Sequence, residues 1–364
     1  MKTVLVNLKD NPYKIIIGHG ILPQLGAALK SLKMGRDAVI ITQPVIRRWH
    51  GPALAAGLTR NGFTVKFFEV PDGEKSKSTK VAMQLLEKIA RYDTQKDIFI
   101  IALGGGVVGD LAGFVAAIYK RAIPYVQVPT TLLAQVDSAI GGKTAVDLPV
   151  GKNLVGVIYQ PKIVWSDVGT LKTLPDRAYR NGFAEIIKYG VIRDRKLFNY
   201  VGRNSAQLLS RKSVALTKVV VRCSQIKAEV VKADEKETKG IRTILNFGHT
   251  AGHALEAASG YRFFHGEAVA WGMVVAAEVS QRMGLLHKKD FTALRRVLTD
   301  FGLLEKNPSH TKMINLSGIL KHMQHDKKFI AGRNRFVLAT KIGAVQVMEG
   351  VPGKIIEQAI RAGL

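Results

Sequence analysis

The run Asp97–Leu103, DIFIIAL, constrains the fold more than any other stretch of the chain. After its first residue it is apolar without alternation, too short for an ordinary helix and rich in β-branched residues. A strand that is apolar at every position must be covered on both faces, as in a parallel sheet lying between layers of helices. Asp37–Thr42 (DAVIIT) and Phe63–Val70 have the same character, with Tyr125–Val128 and Ile163–Ser166 as shorter examples. Helical periodicity fills Ser78–Tyr92 and Leu111–Arg121 between them. Strands alternating with helices predict an α/β domain with a parallel sheet.

After about Thr170 the pattern changes. Ala178–Val191, Ser213–Ala233, Thr243–Ser259, Glu267–Met283 and Asp290–Phe301 read as helices, and strand-like runs return only at Arg335–Ala339 and Ala344–Met348. The expected organisation is an N-terminal α/β nucleotide-binding domain, residues 1–170, then a mostly α-helical C-terminal domain, residues 171–364, with the break at Thr170–Pro175. A length of 364 residues suits two domains.

Composition excludes several classes. With 47% hydrophobic and 23% charged residues the chain can bury a sizeable core, so it is neither disordered nor collagenous. One cysteine, Cys223, excludes a disulfide framework and fits a reducing compartment. The apolar stretch Ala268–Ala277, bounded by Glu267 and Glu278, is about half a membrane span. The N-terminus alternates like a strand and lacks the pattern of a signal peptide. A cytoplasmic protein with no membrane partner is expected. The net charge of +26 raises nucleic acid as a partner, but the excess is spread along the chain, with no long Lys/Arg run. A basic surface around a site for a small anion is the preferred reading, without nucleic-acid binding.

The stretch after DIFIIAL is Gly104-Gly105-Gly106-Val107-Val108-Gly109-Asp110, which contains G-x-G-x-x-G between a strand and a helix. Glycines there let a backbone approach a pyrophosphate, and the helix start supplies N–H groups. The acidic residue usually found about 20 residues on is missing, since that offset falls near Pro129. A glycine turn used only for packing remains the alternative. A second polar stretch follows Val128: Thr130-Thr131, Asp137-Ser138 and Gly141-Gly142-Lys143-Thr144, then Gly151-Lys152-Asn153. Its two lysines in glycine contexts suit anion contacts.

The segment Arg242–Ala257, RTILNFGHTAGHALEA, reads as an apolar helix with a polar stripe. Arg242, Asn246, His249 and His253 are spaced four, three and four apart and share one face. His265 opens the next helix. Glu185 lies in an apolar helical run with Lys188 one turn later on the same face, and a buried glutamate must be paired or metal-bound. Two histidines and one glutamate form a recurrent catalytic zinc set; a core histidine pair with a Glu185–Lys188 ion pair is the competing reading.

These residues carry a resemblance. The Gly104–Asp110 loop, VPTTLLAQVDSAIGGKTAVD, GKNLVG, NGFAEIIKYG, LNFGHTAGHALE and HGEAVA together resemble the 3-dehydroquinate synthase family of sugar-phosphate cyclases over essentially the whole chain. The resemblance implies NAD and a divalent metal, zinc or cobalt, with metal ligands Glu185, His249 and His265. It implies NAD contacts at Glu74, Lys77, Gly105, Gly106, Val107, Asp110, Thr130, Thr131, Asp137 and Thr173. Substrate contacts would be Asp137, Lys143, Lys152, Asn153, Lys188, Lys227, Arg242, Asn246, His253 and the Lys327–Lys328 pair, with Arg121 reaching the partner subunit of a homodimer. Lys152, Asn153, His253, Lys143 and Arg242 would be catalytic.

The implied reaction is a carbon–oxygen lyase step of the shikimate pathway. It converts 3-deoxy-D-arabino-heptulosonate 7-phosphate to 3-dehydroquinate and phosphate by transient oxidation with NAD, phosphate elimination, re-reduction and aldol closure. The cationic side chains suit a substrate bearing a carboxylate and a phosphate, although they do not account for the whole of the +26. Two positions depart from the family pattern: Gln43 stands where an Asp often meets the adenine ribose, and Ala178 where a Glu often follows Leu-Pro. A cyclase closing a different ring, a metal-dependent polyol dehydrogenase and a basic nucleic-acid-binding protein are the alternatives.

Overall fold

The computed structural model describes residues 1–260, 262–305, 316–324 and 334–363. The chain forms two compact units. The first comprises Met1–Pro175 with Leu216–Lys236, the second Asp176–Ala215 with Glu237–Leu364. A single break near Thr170 was expected; the chain instead returns most of the long helix Ser213–Ala233 to the first unit, where Lys227 bonds Asp137.

The strands of the first unit are β1 (Lys2–Val6), β2 (Tyr13–Gly18), β3 (Asp37–Thr42), β4 (Thr64–Glu69), β5 (Ile98–Gly104), β6 (Tyr125–Pro129), β7 (Lys143–Leu148), β8 (Gly151–Ile158) and β9 (Ile163–Asp167). Seven of them form one sheet in the order β1-β2-β9-β6-β5-β3-β4, parallel except for the antiparallel β1–β2 pair. β7 and β8 form a separate antiparallel hairpin across the polar stretch that contains Lys143, Lys152 and Asn153.

The DIFIIAL run does what its composition requires. All seven residues of β5 are buried. Phe99, Ile101 and Leu103 pack into one core with Leu25, Leu54 and Trp165. Ile98, Ile100 and Ala102 pack into the other with Val108, Leu111 and Val115. Burying each such large apolar side chain contributes roughly 1.5–3 kcal/mol relative to exposure. β3 pairs with β4 on one side and β5 on the other. The chain therefore reverses its direction of travel across the sheet at β3 and β5, and beyond the C-terminal ends of such strands open α/β sheets form a crevice. The glycine loop lies there.

The helix after that loop runs from Gly106 to Ile118, not from Leu111 to Arg121. The glycines are its first turn, and Lys120, Arg121 and Ala122 follow it at φ 47, 63 and 105, a region L-residues disfavour. Asp93 holds this tip by accepting the Tyr119 hydroxyl at 2.8 Å and pairing with Lys120.

The second unit is mostly helical, with a two-stranded hairpin of β10 (Arg335–Lys341) and β11 (Ala344–Glu349). Two expected helices are broken. Gly182 separates Asp176–Asn181 from Phe183–Arg193. The expected helix Thr243–Ser259 is a 3-10 turn, Ile241–Asn246, followed by the helix His249–Ala258. Gly248 breaks it at φ 81, and a side chain there would meet Met273 Cγ at 2.6 Å. From the facing helix, His265–Arg282, a Cβ on Gly272 would stand 1.9 Å from the Gly248 carbonyl oxygen. Arg242 and Asn246 therefore do not continue the helical stripe of His249 and His253.

Candidate active site

In the first unit the glycine loop presents backbone rather than side chain. A Cβ on Gly105 would lie 2.9 Å from Thr131 Cγ2, and one on Gly106 would lie 2.9 Å from Ser138 Oγ. Thr130 is buried and its Oγ1 has no hydrogen-bond partner among the described residues. A cradle with no room for side chains, a free helix start and an orphaned hydroxyl fit a dinucleotide pyrophosphate.

Around the cradle runs a network of charges. Lys77, 5% exposed, donates to Asp110 Oδ2 at 2.6 Å and to Asn153 Oδ1. Burial raises the Asp110 carboxyl above its ordinary value, and Lys77 opposes that shift. Asn153 holds φ 56, and its backbone N–H donates to Asp147 Oδ1 at 2.7 Å. Lys152 reaches Glu74 at 3.4 Å. Lys227 donates to the Asp137 carboxylate at 2.5 Å and to its carbonyl at 2.9 Å. Asp137 lies in a π-helical turn, Ala134–Ser138, a form that concentrates at functional sites. Thr173 Oγ1 meets His50 Nε2 at 2.9 Å; burial lowers the His50 pKa, and Asp167 opposes the shift. Lys143 opens β7 with its side chain exposed. Arg121 is exposed on the Asp93-held tip. Gln43 follows β3, stands at the N-cap of the helix Pro44–Arg60 and donates to the Pro71 carbonyl at 3.4 Å.

The second unit gathers a donor set that could hold a metal ion. The helix Phe183–Arg193 buries Phe183 through Ile192 without interruption, Glu185 and Lys188 included, and these two form an ion pair. His249 Nε2 stands 3.4 Å and His265 Nε2 3.5 Å from Glu185 Oε1. Donor atoms of Glu185, His249 and His265 lie within 4.8 Å of one another. One carboxylate and two imidazoles, partly buried, fit zinc or cobalt with positions left for substrate. Burial would lower the His265 pKa, but Glu185 and Glu256 outweigh it and hold the ring at about 10. Arg242 is buried in the preceding turn. His253 is exposed and belongs to a second group with Glu256 and His265.

The structure thus brings Lys77, Asp110 and Asn153 together in one unit, and Glu185, Lys188, His249 and His265 in the other. Lys327 and Lys328 lie outside the described residues. Sequence reasoning missed Glu256, Asp147 and His50. Only Glu256 had a legible signal, a glutamate at i+3 from His253 on an apolar helix.

Comparison with known proteins follows this geometry. Residues 67–181 match the family described as 3-dehydroquinate synthase N-terminal, and residues 182–329 match 3-dehydroquinate synthase C-terminal. A 3-dehydroquinate synthase of Thermodesulfovibrio yellowstonii is 40% identical over 361 residues, 99% of each chain. The structure of 2-deoxy-scyllo-inosose synthase complexed with carbaglucose-6-phosphate, NAD+ and Co2+ is similar at 28% identity and TM-score 0.86, over 100% of both chains. So is 2-epi-5-epi-valiolone synthase from Streptomyces hygroscopicus with NAD+ and Zn2+ bound, at 26% identity and TM-score 0.88 over 98% of both. Among the described residues no helix is long and apolar enough to cross a membrane.

Proposed function

From the premise that the chain belongs to the 3-dehydroquinate synthase family, we propose that it is a carbon–oxygen lyase converting 3-deoxy-D-arabino-heptulosonate 7-phosphate to 3-dehydroquinate and phosphate, in the cytoplasm and as a homodimer. The observation that carries this reading is the pairing of a dinucleotide cradle at Gly104–Asp110 with the Glu185–His249–His265 donor set. NAD held at the cradle would supply reversible hydride chemistry, and a metal held by Glu185, His249 and His265 would supply Lewis acidity.

The chain's own residues do the rest. Gly105, Gly106 and Val107 would hold the pyrophosphate on N–H groups, together with Thr130 and Thr131. Lys77 ties Asp110 on the helix after the cradle to Asn153 on β8, fixing a cofactor residue against a substrate residue. Lys227 orients Asp137. Lys143, Lys152, Lys188 and Arg242 supply positive charge for carboxylate and phosphate, whose charge-assisted hydrogen bonds are about twice as strong as neutral ones. Lys152 and Asn153 in the first unit would hold the leaving phosphate, and His253 in the second would relay protons. Glu185, His249 and His265 would ligate the metal, and Arg121 would serve the partner subunit's site.

In this reaction NAD would be regenerated in each turnover and needed only in catalytic amounts. With metal and trace NAD, many equivalents of phosphate should appear while absorbance of reduced nicotinamide stays flat. Lys152→Ala should cut phosphate release roughly 30- to 1000-fold, about 2–4 kcal/mol, with NAD binding intact. One NADH per substrate without phosphate would overturn the reading and favour a polyol dehydrogenase.

A further inference from the structure

We infer that Glu256 is a positioning residue for the metal centre, holding the Nδ1 side of His265 so that Nε2 faces Glu185 and His249. The inference rests on the metal reading above.

The His265 ring lies between two carboxylates. Its Nε2 is 3.5 Å from Glu185 Oε1, and its Nδ1 is 3.6 Å from Glu256 Oε1. A neutral imidazole carries a proton on one nitrogen and a lone pair on the other, so the acceptor facing one nitrogen decides which is left for a metal. His249 follows the same rule, with Nδ1 3.3 Å from the Phe247 carbonyl oxygen and Nε2 turned to Glu185. The two imidazoles therefore present the same nitrogen to one carboxylate, and each has an oxygen acceptor behind it. For His249 that acceptor is backbone, but for His265 it is the Glu256 side chain, 8% exposed. A buried carboxylate is costly unless something compensates it, and the His265 ring is one partner that does so.

The helix His249–Ala258 explains the placement. His249, His253 and Glu256 are spaced four and three, so they share one face. One helix thus contributes a ligand at its first residue and, two turns on, the group that aims the next ligand. His253, Glu256 and His265 also lie within 4.8 Å of one another, which makes a second metal ion the rival assignment. That ion would need the nitrogen of His265 that faces Glu256 while the other nitrogen ligates the first, so the ring would have to lose both protons. Orientation by Glu256 asks only for a neutral ring.

The test uses full-length protein stripped of metal, with zinc affinity read by chelator competition and NAD affinity as the check on folding. The unaltered protein should bind one equivalent of zinc. Glu256→Gln, which keeps shape and removes charge, should bind it about 10- to 100-fold more weakly with unchanged NAD affinity. Glu256→Asp should recover part of the loss, and cobalt loaded into Glu256→Gln should show altered visible absorption bands. Zinc bound equally tightly by both Glu256 variants and the unaltered protein would overturn the inference and leave the metal reading standing. Two equivalents, of which Glu256→Gln loses one and keeps the other at full affinity, would overturn it in favour of a second ion. No zinc bound by the unaltered protein would overturn the metal reading and this inference together.

Discussion

The cradle after β5 in the first unit is formed by missing side chains, at Gly105 and Gly106, whereas the Glu185–His249–His265 group in the second is formed by side chains from three helices. The two constructions fail differently. A glycine costs about 0.5–1 kcal/mol of backbone entropy and leaves its surroundings otherwise undisturbed. A buried glutamate and lysine destabilise the fold unless each keeps its partner, and removing one strands the other. The cradle should therefore tolerate graded damage, while the donor set should behave as a unit.

The largest expected effect lies in the donor set. His249→Ala should lower phosphate release by about three orders of magnitude or more and abolish stoichiometric zinc, while NAD affinity stays within about twofold. Metal analysis beside a phosphate assay reads both. Retained zinc with appreciable turnover would show that the donor set is not a unit.

A middle-sized effect belongs to the cradle. Gly106→Val places a branched side chain where a single Cβ already stands 2.9 Å from Ser138 Oγ. NAD affinity should fall about 10- to 100-fold, equivalent to roughly 1.4–2.8 kcal/mol, with one zinc still bound. Titration by nicotinamide fluorescence with parallel metal analysis checks it. If zinc were lost as well, the two constructions would not be separable.

The smallest effect concerns His50, which meets Thr173 in the first unit. Burial lowers its folded-state pKa below the ordinary 6.5. As pH falls through 6.5 the unfolded chain takes up the proton first, so stability is complete above that value and declines below it toward the lower folded pKa. His50→Asn should flatten the acid side of a Tm-against-pH curve from about pH 6.5 downward. An unchanged slope would place the acid sensitivity elsewhere.

Legibility in the sequence followed the same division. β5 and its loop were readable because local composition alone demands burial on both faces and a close backbone approach. The charge network was not, since Lys77 and Asn153 are 76 residues apart and only the fold joins them. β8 escaped notice because all but two of its eight residues are exposed, leaving no periodic apolar signal. The stripe from Arg242 to His253 spaces like one helix, and spacing cannot reveal that Gly248 takes φ 81 and faces a neighbouring helix with no room for a Cβ. The set Glu185, His249 and His265 came from family resemblance rather than spacing, which left His249 with His253 equally open. Glu256 was missed although the test applied to Glu185, an acidic residue on an apolar helix face, would have found it.

The contact between Gly272 and the carbonyl of Gly248 reaches further than packing. His249 comes immediately after Gly248, and His265 begins the helix that carries Gly272. The gap between the two imidazoles is thus gauged by a helix crossing drawn in until no methyl group fits. Such a gauge sets the jaw width offered to an ion from outside the jaw. A side chain at 272 would part the helices and widen the gap with both imidazoles intact, so the spacing of the donor atoms depends on a position outside the donor set.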